Sequence, residues 1–270
     1  MEVIVCSLGL LALIMPGTAD AAILEISPGD DIVTLTSSLG PGDEVIIADG
    51  VYEIDSTLVW SGAGTESEPI IIRASGTNAV IRQTSGSTIA SIRDASFLEV
   101  RGLRLESSDE TYEANRSTGI EVRNSTDISI RNNTISHVGG TGIYVGADSG
   151  LTSERVDIVR NQVEDLRDGT GIYIGCNDVS CTVLDTVIDN NWVHELSNGT
   201  GIYLANGVQG SQVVDNVVYQ TSSWGLQTLS TTFGPSNVIE RNVFWSNDHG
   251  IRAAGASDVR NNVVLSLIHI

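Results

Sequence analysis

The chain predicts an all-β solenoid of stacked parallel coils, each made of three short strands. Three observations carry that expectation. Asparagines recur at Asn133, Asn161, Asn191, Asn216, Asn242 and Asn262, with steps, by subtraction, of 28, 30, 25, 26 and 20 residues. Glycines recur between them at Gly119, Gly142, Gly171, Gly201, Gly225 and Gly250. Apolar residues hold fixed places beside both markers. Ile130, Ile158, Ile188, Val213, Ile239 and Val259 stand three residues before the asparagines. Ile135, Val163, Val193, Val218, Phe244 and Val264 stand two residues after them. Ile120, Ile143, Ile172, Ile202, Leu226 and Ile251 directly follow the glycines. A repeat of this size signals stacked supersecondary units. Period-two alternation around each apolar position reads as a strand with one face buried.

The elements follow in chain order. VIVCSLGLLALIM is a 13-residue apolar run, too short to span a membrane comfortably, and Ala19-Asp20-Ala21 after it has the small-residue pattern of a cleavage site. Residues 1–21 therefore read as an export signal, although no basic residue precedes the run. The stretch from Leu39 to Ile54, LGPGDEVIIADGVYEI, then EPIIIRASGTNAVI and FLEVRGLRLES, form the opening coils. In Arg101-Gly102-Leu103, Gly102 is expected to take the place that later coils give to asparagine. Asparagine suits that corner because it tolerates a left-handed backbone and its amide can bond to the amide above, so the six asparagines are expected to form a structural ladder.

Together these segments resemble the right-handed parallel β-helix of the pectin-lyase-like superfamily over nearly all of the chain after residue 22. The resemblance implies one elongated domain over residues 22–264. It also implies catalytic groups on one strand face and its flanking loops. The superfamily includes lyases, hydrolases, epimerases, tailspikes and non-catalytic surface proteins, so the fold alone does not choose among them. Residues 265–270, LSLIHI, resemble a translated sequencing adapter. On that reading the domain is incomplete at its carboxy terminus, which agrees with the lack of a visible cap.

Composition narrows the partners. The formal charge is −20, from 14 basic and 34 acidic residues, and every basic residue is arginine. Such a chain lacks the basic face that nucleic-acid binding needs. It also repels polyanions such as pectate or alginate unless calcium or a local arginine cluster intervenes. Cys176 and Cys181, spaced C-x4-C, read as a loop-closing disulfide in an exported protein.

The segments Gly142-Ile-Tyr144-Val-Gly146, Gly171-Ile-Tyr173-Ile-Gly175 and Gly201-Ile-Tyr203-Leu-Ala205 place three tyrosines in one outward column. Gln227 and Arg252 continue it, and Glu121 precedes it. Tyr144, Tyr173, Tyr203 and Gln227 are the expected polysaccharide-binding residues, with glycine or alanine leaving open floor beside the rings. Asp168, Asp248, His249 and Arg252, at the rim of that strand, are the expected acid–base set. The alternative is that the tyrosines only stabilise the sheet.

Family signatures are scarce. The absence of lysine rules out the lysine–arginine pair of chondroitinase B-type lyases. The Asp-Pro-His of mannuronan epimerases is missing, and Asp248-His249-Gly250-Ile251-Arg252 only echoes the polygalacturonase pattern. No metal site is expected. Calcium held by Asp148, Asp165, Asp168, Asp178 or Asp185 is the one cofactor considered. Function then reads two ways. One is an exported protein that binds, and cleaves or epimerises, an extracellular polysaccharide along the tyrosine groove. The other is a non-catalytic surface module.

Overall fold

The computed structural model describes residues 21–114, 117–176, 180–229 and 234–265. The expected signal up to Asp20, and the expected tail beyond Leu265, lie outside these residues.

The chain winds through three parallel sheets and visits each once per coil. The first has 12 strands and runs from Ile23–Ile26 to Ser257–Arg260. The second has 9 strands and runs from Gly50–Ile54 to Val263–Leu265. The third has 8 strands and runs from Leu58–Trp60 to His249–Arg252. Registers are uninterrupted: Ile130 lies opposite Ile158, which lies opposite Ile188, and the same holds for Ile135–Val163–Val193 and Ile143–Ile172–Ile202.

The three apolar columns form the core. From Ile120 to Phe244 their members have no measurable exposure. Full burial of one Val or Ile contributes roughly 1.5–3 kcal/mol, and stacking repeats that gain in every coil. The repeat glycines follow from how closely coils approach. A Cβ on Gly142 would lie 2.6 Å from the Gly171 carbonyl oxygen and would collide with Val163.

The first and second sheets meet at the asparagine corner. From Asn161 onward, each side-chain oxygen there accepts two hydrogen bonds from the coil before it. Asn191 Oδ1 accepts from the Asn161 backbone N–H at 2.9 Å and from Asn161 Nδ2 at 3.1 Å. Each Nδ2 also donates to a carbonyl of a neighbouring coil, as Asn191 does to Ile158 at 2.7 Å. The same bonds link Asn133 to Asn161, Asn191 to Asn216, Asn216 to Asn242 and Asn242 to Asn262.

Two details differ from the sequence expectation. The left-handed backbone belongs to the residue before each ladder asparagine: Asn132, Arg160, Asn190, Asp215, Arg241 and Asn261 have φ between 54° and 58°. Gly102, with φ 73°, occupies this bend position and not the ladder position. Arg101 pairs with Arg131, so Leu103 falls in the ladder column, where its N–H donates to Asn133 Oδ1 at 3.0 Å. A leucine suffices there because only its backbone is needed. A smaller buried ladder lies between the third and first sheets. Ala95 N–H donates to Ser125 Oγ, Ser125 N–H to Ser153 Oγ, and Ser211 N–H to Asn237 Oδ1.

Replacing Asn191 by Ala leaves two buried donors of Asn161 without an acceptor. The expected cost is about 2–4 kcal/mol, and Asn262→Ala at the partly exposed end of the column should cost less. Urea unfolding of both variants checks this.

Candidate functional site

The tyrosine column is built as the alternation requires. Glu121, Tyr144, Tyr173, Tyr203, Gln227 and Arg252 follow one another in register on the outer face of the third sheet. Its rings are engaged with each other and with the backbone. Tyr144 stacks on Tyr173 with centroids 5.3 Å apart, and Tyr173 meets Tyr203 edge-on at 5.1 Å. The Tyr144 hydroxyl donates to the Gly175 carbonyl at 3.3 Å, and Arg123, paired with Glu121, covers the Tyr144 ring at 4.8 Å. The floor beside the ring is not open: a Cβ on Gly146 would stand 2.6 Å from the Tyr144 ring. The flanking glycine makes room for the tyrosine itself, which burial pushes to a raised pKa.

The expected acid–base set is not one cluster. Asp168 accepts from Asn198 Nδ2 at 3.0 Å in the turn that leads into strand Ile172–Ile174. Asp248 and His249 lie three third-sheet strands further along the axis, about 14 Å away at the usual strand spacing. There His249 packs on Trp224 with ring centroids 4.5 Å apart, and the Arg252 guanidinium lies 5.9 Å from the same ring. The aspartates considered for calcium also stand apart. Asp148 is held by Arg93 and Asn124, and Asp165 by His137 and Tyr112. Asp178 lies outside the described residues. Among those described, no group of three or more His, Cys, Asp or Glu could hold a metal ion. Cys176 and Cys181 form a disulfide.

A richer constellation lies on the second sheet. Its strands bend within themselves: His137, Asp165, Glu195, Gln220 and Ser246 have φ between 51° and 57°. The bend breaks the alternation and puts two consecutive side chains on the outer face of the sheet between inward residues. Ser136 and His137 lie between Ile135 and Val138, Glu164 and Asp165 between Val163 and Leu166, and His194 and Glu195 between Val193 and Leu196. Stacking then gives two parallel outward rows. In register, the first runs Arg82, Glu106, Ser136, Glu164, His194, Tyr219, Trp245. The signal was present in the sequence as a recurring apolar-polar-polar-apolar step, but period-two reading assigns it to a loop.

These rows floor a cleft of about 790 Å³, lined among others by Arg82, Arg104, Glu106, Ser136, His137 and Glu164. The short helix Asp109–Ala114, inserted between the second and third sheets, supplies Asp109 to its lining. His137 lies between two carboxylates: Nδ1 is 2.8 Å from Asp165 and Nε2 is 3.0 Å from Asp109. Only the doubly protonated imidazolium donates to both. Tyr112 from the helix stacks on the imidazole at 3.9 Å and donates to Asp165 at 3.0 Å. Burial first, and the Asp165 hydrogen bond and charge next, push the Tyr112 phenol up to about 12.

Further along, Glu106 binds Arg82 and Arg104 at 2.6 and 2.9 Å. Glu164 lies 3.3 Å from His194 Nε2. His194 stacks on Tyr219 at 4.7 Å, and Tyr219 on Trp245 at 4.5 Å, with the rings of both pairs nearly parallel. Two buried polar atoms here have no hydrogen-bond partner: Ser136 Oγ and His194 Nδ1. Leaving a buried hydroxyl unpartnered costs about 1–3 kcal/mol, so such atoms call for a ligand or water.

Residues 70–264, 195 of the 270 by subtraction, match the family model described as the right handed beta helix region. No curated protein sequence matches the chain. Among solved structures, the chain is similar to an alginate lyase from Paenibacillus sp. str. FPU-7, with TM-score 0.64 and 15% identity over 92% of this chain and 98% of that one. It is also similar to a pectate lyase from Bacillus sp. N165 solved in complex with trigalacturonate, with TM-score 0.50 and 14% identity over 92% and 83%. At these identities the likeness is one of fold. No described helix is long and apolar enough to cross a membrane.

Because the folded pKa of Tyr112 lies above the usual phenol value of about 10, the fold favours the neutral form. Its contribution to stability is complete below about pH 10 and is lost as pH rises through about 12. In an alkaline titration followed at the phenolate absorbance, Tyr112→Phe should remove part of the amplitude near 12, where Tyr173 also titrates, and leave the rest of the curve intact.

Proposed function

The chain belongs to the right-handed β-helix family, and on that scaffold we propose that it is an exported, carbohydrate-active protein whose second-sheet cleft binds a polysaccharide. The observation that carries this reading is the continuous first row: charged and hydroxyl groups in a cleft, then His194, Tyr219 and Trp245 as stacked rings along the same line. Successive groups stand one strand spacing apart, about 4.8 Å, so an extended chain lying along the axis meets a new side chain at each step. Polar groups orient sugar hydroxyls. Aromatic side chains with one exposed face supply the apolar contact. Trp245 is 37% exposed and Trp192, beside His194, is 52% exposed.

This reading moves the binding surface from the tyrosine column to the neighbouring sheet. Tyr144 is covered by Arg123 and Tyr173 lies between two tyrosine rings, whereas the second-sheet cleft is open, holds the unpartnered Ser136 Oγ and leads along its row toward Trp245, which keeps exposed surface. Export fits the expected signal segment and the Cys176–Cys181 disulfide, a bond of oxidising compartments.

One observation favours turnover over binding alone. His137 sits in the cleft with carboxylates at both ring nitrogens and a phenol stacked on it, a set suited to moving a proton at a sugar carbon or glycosidic oxygen. His137 and Asp165 are the acid–base groups of this reading, and Tyr112 positions them.

The test is affinity electrophoresis and calorimetry against a panel of polysaccharides, with product analysis of the same mixtures. Trp192→Ala and Trp245→Ala should each weaken binding about five- to tenfold, the effect of one lost aromatic contact. New reducing ends or unsaturated products that vanish in His137→Ala would establish catalysis, and their absence from every substrate bound would leave a binding module. Binding that ignores both aromatic variants would remove the cleft from the reading.

A further inference from the structure

The charge of the cleft defines a narrower class of ligand, an inference that rests on the polysaccharide reading above. Six carboxylates line it: Glu53, Glu106, Asp109, Glu164, Asp165 and Glu195. Its two arginines do not offset them toward a ligand. Arg82 and Arg104 both bind Glu106, at 2.6 and 2.9 Å, and Arg82 also reaches Glu53 at 4.0 Å, so two guanidiniums are matched by two carboxylates. Asp165 is taken by His137 and Tyr112. Among the described residues Glu164 has no arginine partner; it accepts from Gln162 Nε2 at 2.6 Å and faces His194 Nε2 at 3.3 Å. A sugar carboxylate laid along this floor meets like charge at both ends of the cleft, and both lining arginines already bind carboxylates.

A second observation points to what the floor accepts. Ser136 sits between Glu106 and Glu164 in the row, one strand from each. It is 3% exposed, it lines the cleft, and its Oγ has no partner. A hydroxyl flanked in register by a carboxylate one coil above is arranged to accept from a donor that carries several N–H bonds. A protonated amine on the sugar ring fits. It donates to Ser136 Oγ and Glu164 together and neutralises the carboxylate that lacks an arginine. We infer that the second-sheet cleft selects a glycan bearing free ammonium groups, an amino-sugar polymer, and rejects uronate chains. Trp245, the exposed end of the His194–Tyr219–Trp245 stack, then carries the apolar face of the adjoining ring.

The experiment compares three oligosaccharides of equal length by calorimetry, at a pH acid enough to keep sugar amines charged: glucosamine oligomers, their N-acetylated counterparts and oligogalacturonate. The expected result is that glucosamine oligomers bind about tenfold or more tightly than the acetylated form, the effect of one charge-assisted contact, and that oligogalacturonate does not bind. Glu164→Gln and Ser136→Ala, both small changes checked for retained fold by circular dichroism, should each reduce that preference. Equal affinity for amine and acetylated oligomers would overturn the inference while leaving the polysaccharide reading intact, as would tighter binding of oligogalacturonate. Binding of the amine form that ignores both variants would mark attraction to the acidic surface at large and would also overturn it. If none of the three binds and the wider polysaccharide panel also fails, the polysaccharide reading itself falls.

Discussion

Register between coils is the constraint on which everything else in this molecule depends. Each coil is held to the next by parallel strand pairing, and in such pairing a slip of one residue would turn every inward side chain outward. The asparagine amides oppose that slip. From Asn161 onward, each oxygen is shared between a backbone N–H and a side-chain N–H of the preceding coil, so the corner fits in one alignment only. The serine and asparagine bonds at the opposite corner repeat the device. Contacts in the cleft inherit this precision. His137 meets Asp165, and Glu164 meets His194, because the two members of each pair occupy corresponding places in consecutive coils.

Much of the fold was legible in the chain because solenoid repetition turns a weak local pattern into a strong periodic one. The columns headed by Ile130, Ile135 and Ile143 could be placed without any knowledge of loops, and the outward tyrosines followed from alternation. The cleft was harder to see for two physical reasons. Its strands contain a left-handed residue, so Ser136-His137 and Glu164-Asp165 violate the alternation used to find strands. Tyr112, moreover, comes from a short helix 53 residues before Asp165, and only the winding of the chain brings them together. Adjacency in sequence to a groove strand also left the spacing along the axis open. Asp168 and Asp248 each precede a third-sheet strand, but in coils well apart along the axis. Gly102 shows the same limit at finer scale: bend and ladder positions are neighbours, and composition alone does not separate them.

The arginines illustrate how an acidic solenoid uses its few cations. Arg73 binds Glu44, Arg131 binds Glu99, Arg155 binds Asp127 and Arg241 binds Asp215, each across coils or within one outer face. Exposed pairs of this kind contribute little net stability. Their larger effect is to relieve repulsion between carboxylates that stacking brings close together. A guanidinium suits this task because its fork reaches two carboxylates at once, as Arg82 does with Glu53 and Glu106.

The bend in the second-sheet strands has one more consequence, for composition. A left-handed backbone is strained for β-branched and bulky apolar side chains and is easiest for polar residues such as Asn, Asp and His. His137, Asp165, Glu195, Gln220 and Ser246, the five residues at that bend, are all polar and unbranched at Cβ. Backbone geometry thus acts as a filter on which amino acids can stand in that row, whatever the row is used for. A long face of stacked strands is the kind of surface on which apolar residues would gather into a sticky ribbon. Here the conformation itself keeps one of its two lines of side chains hydrated.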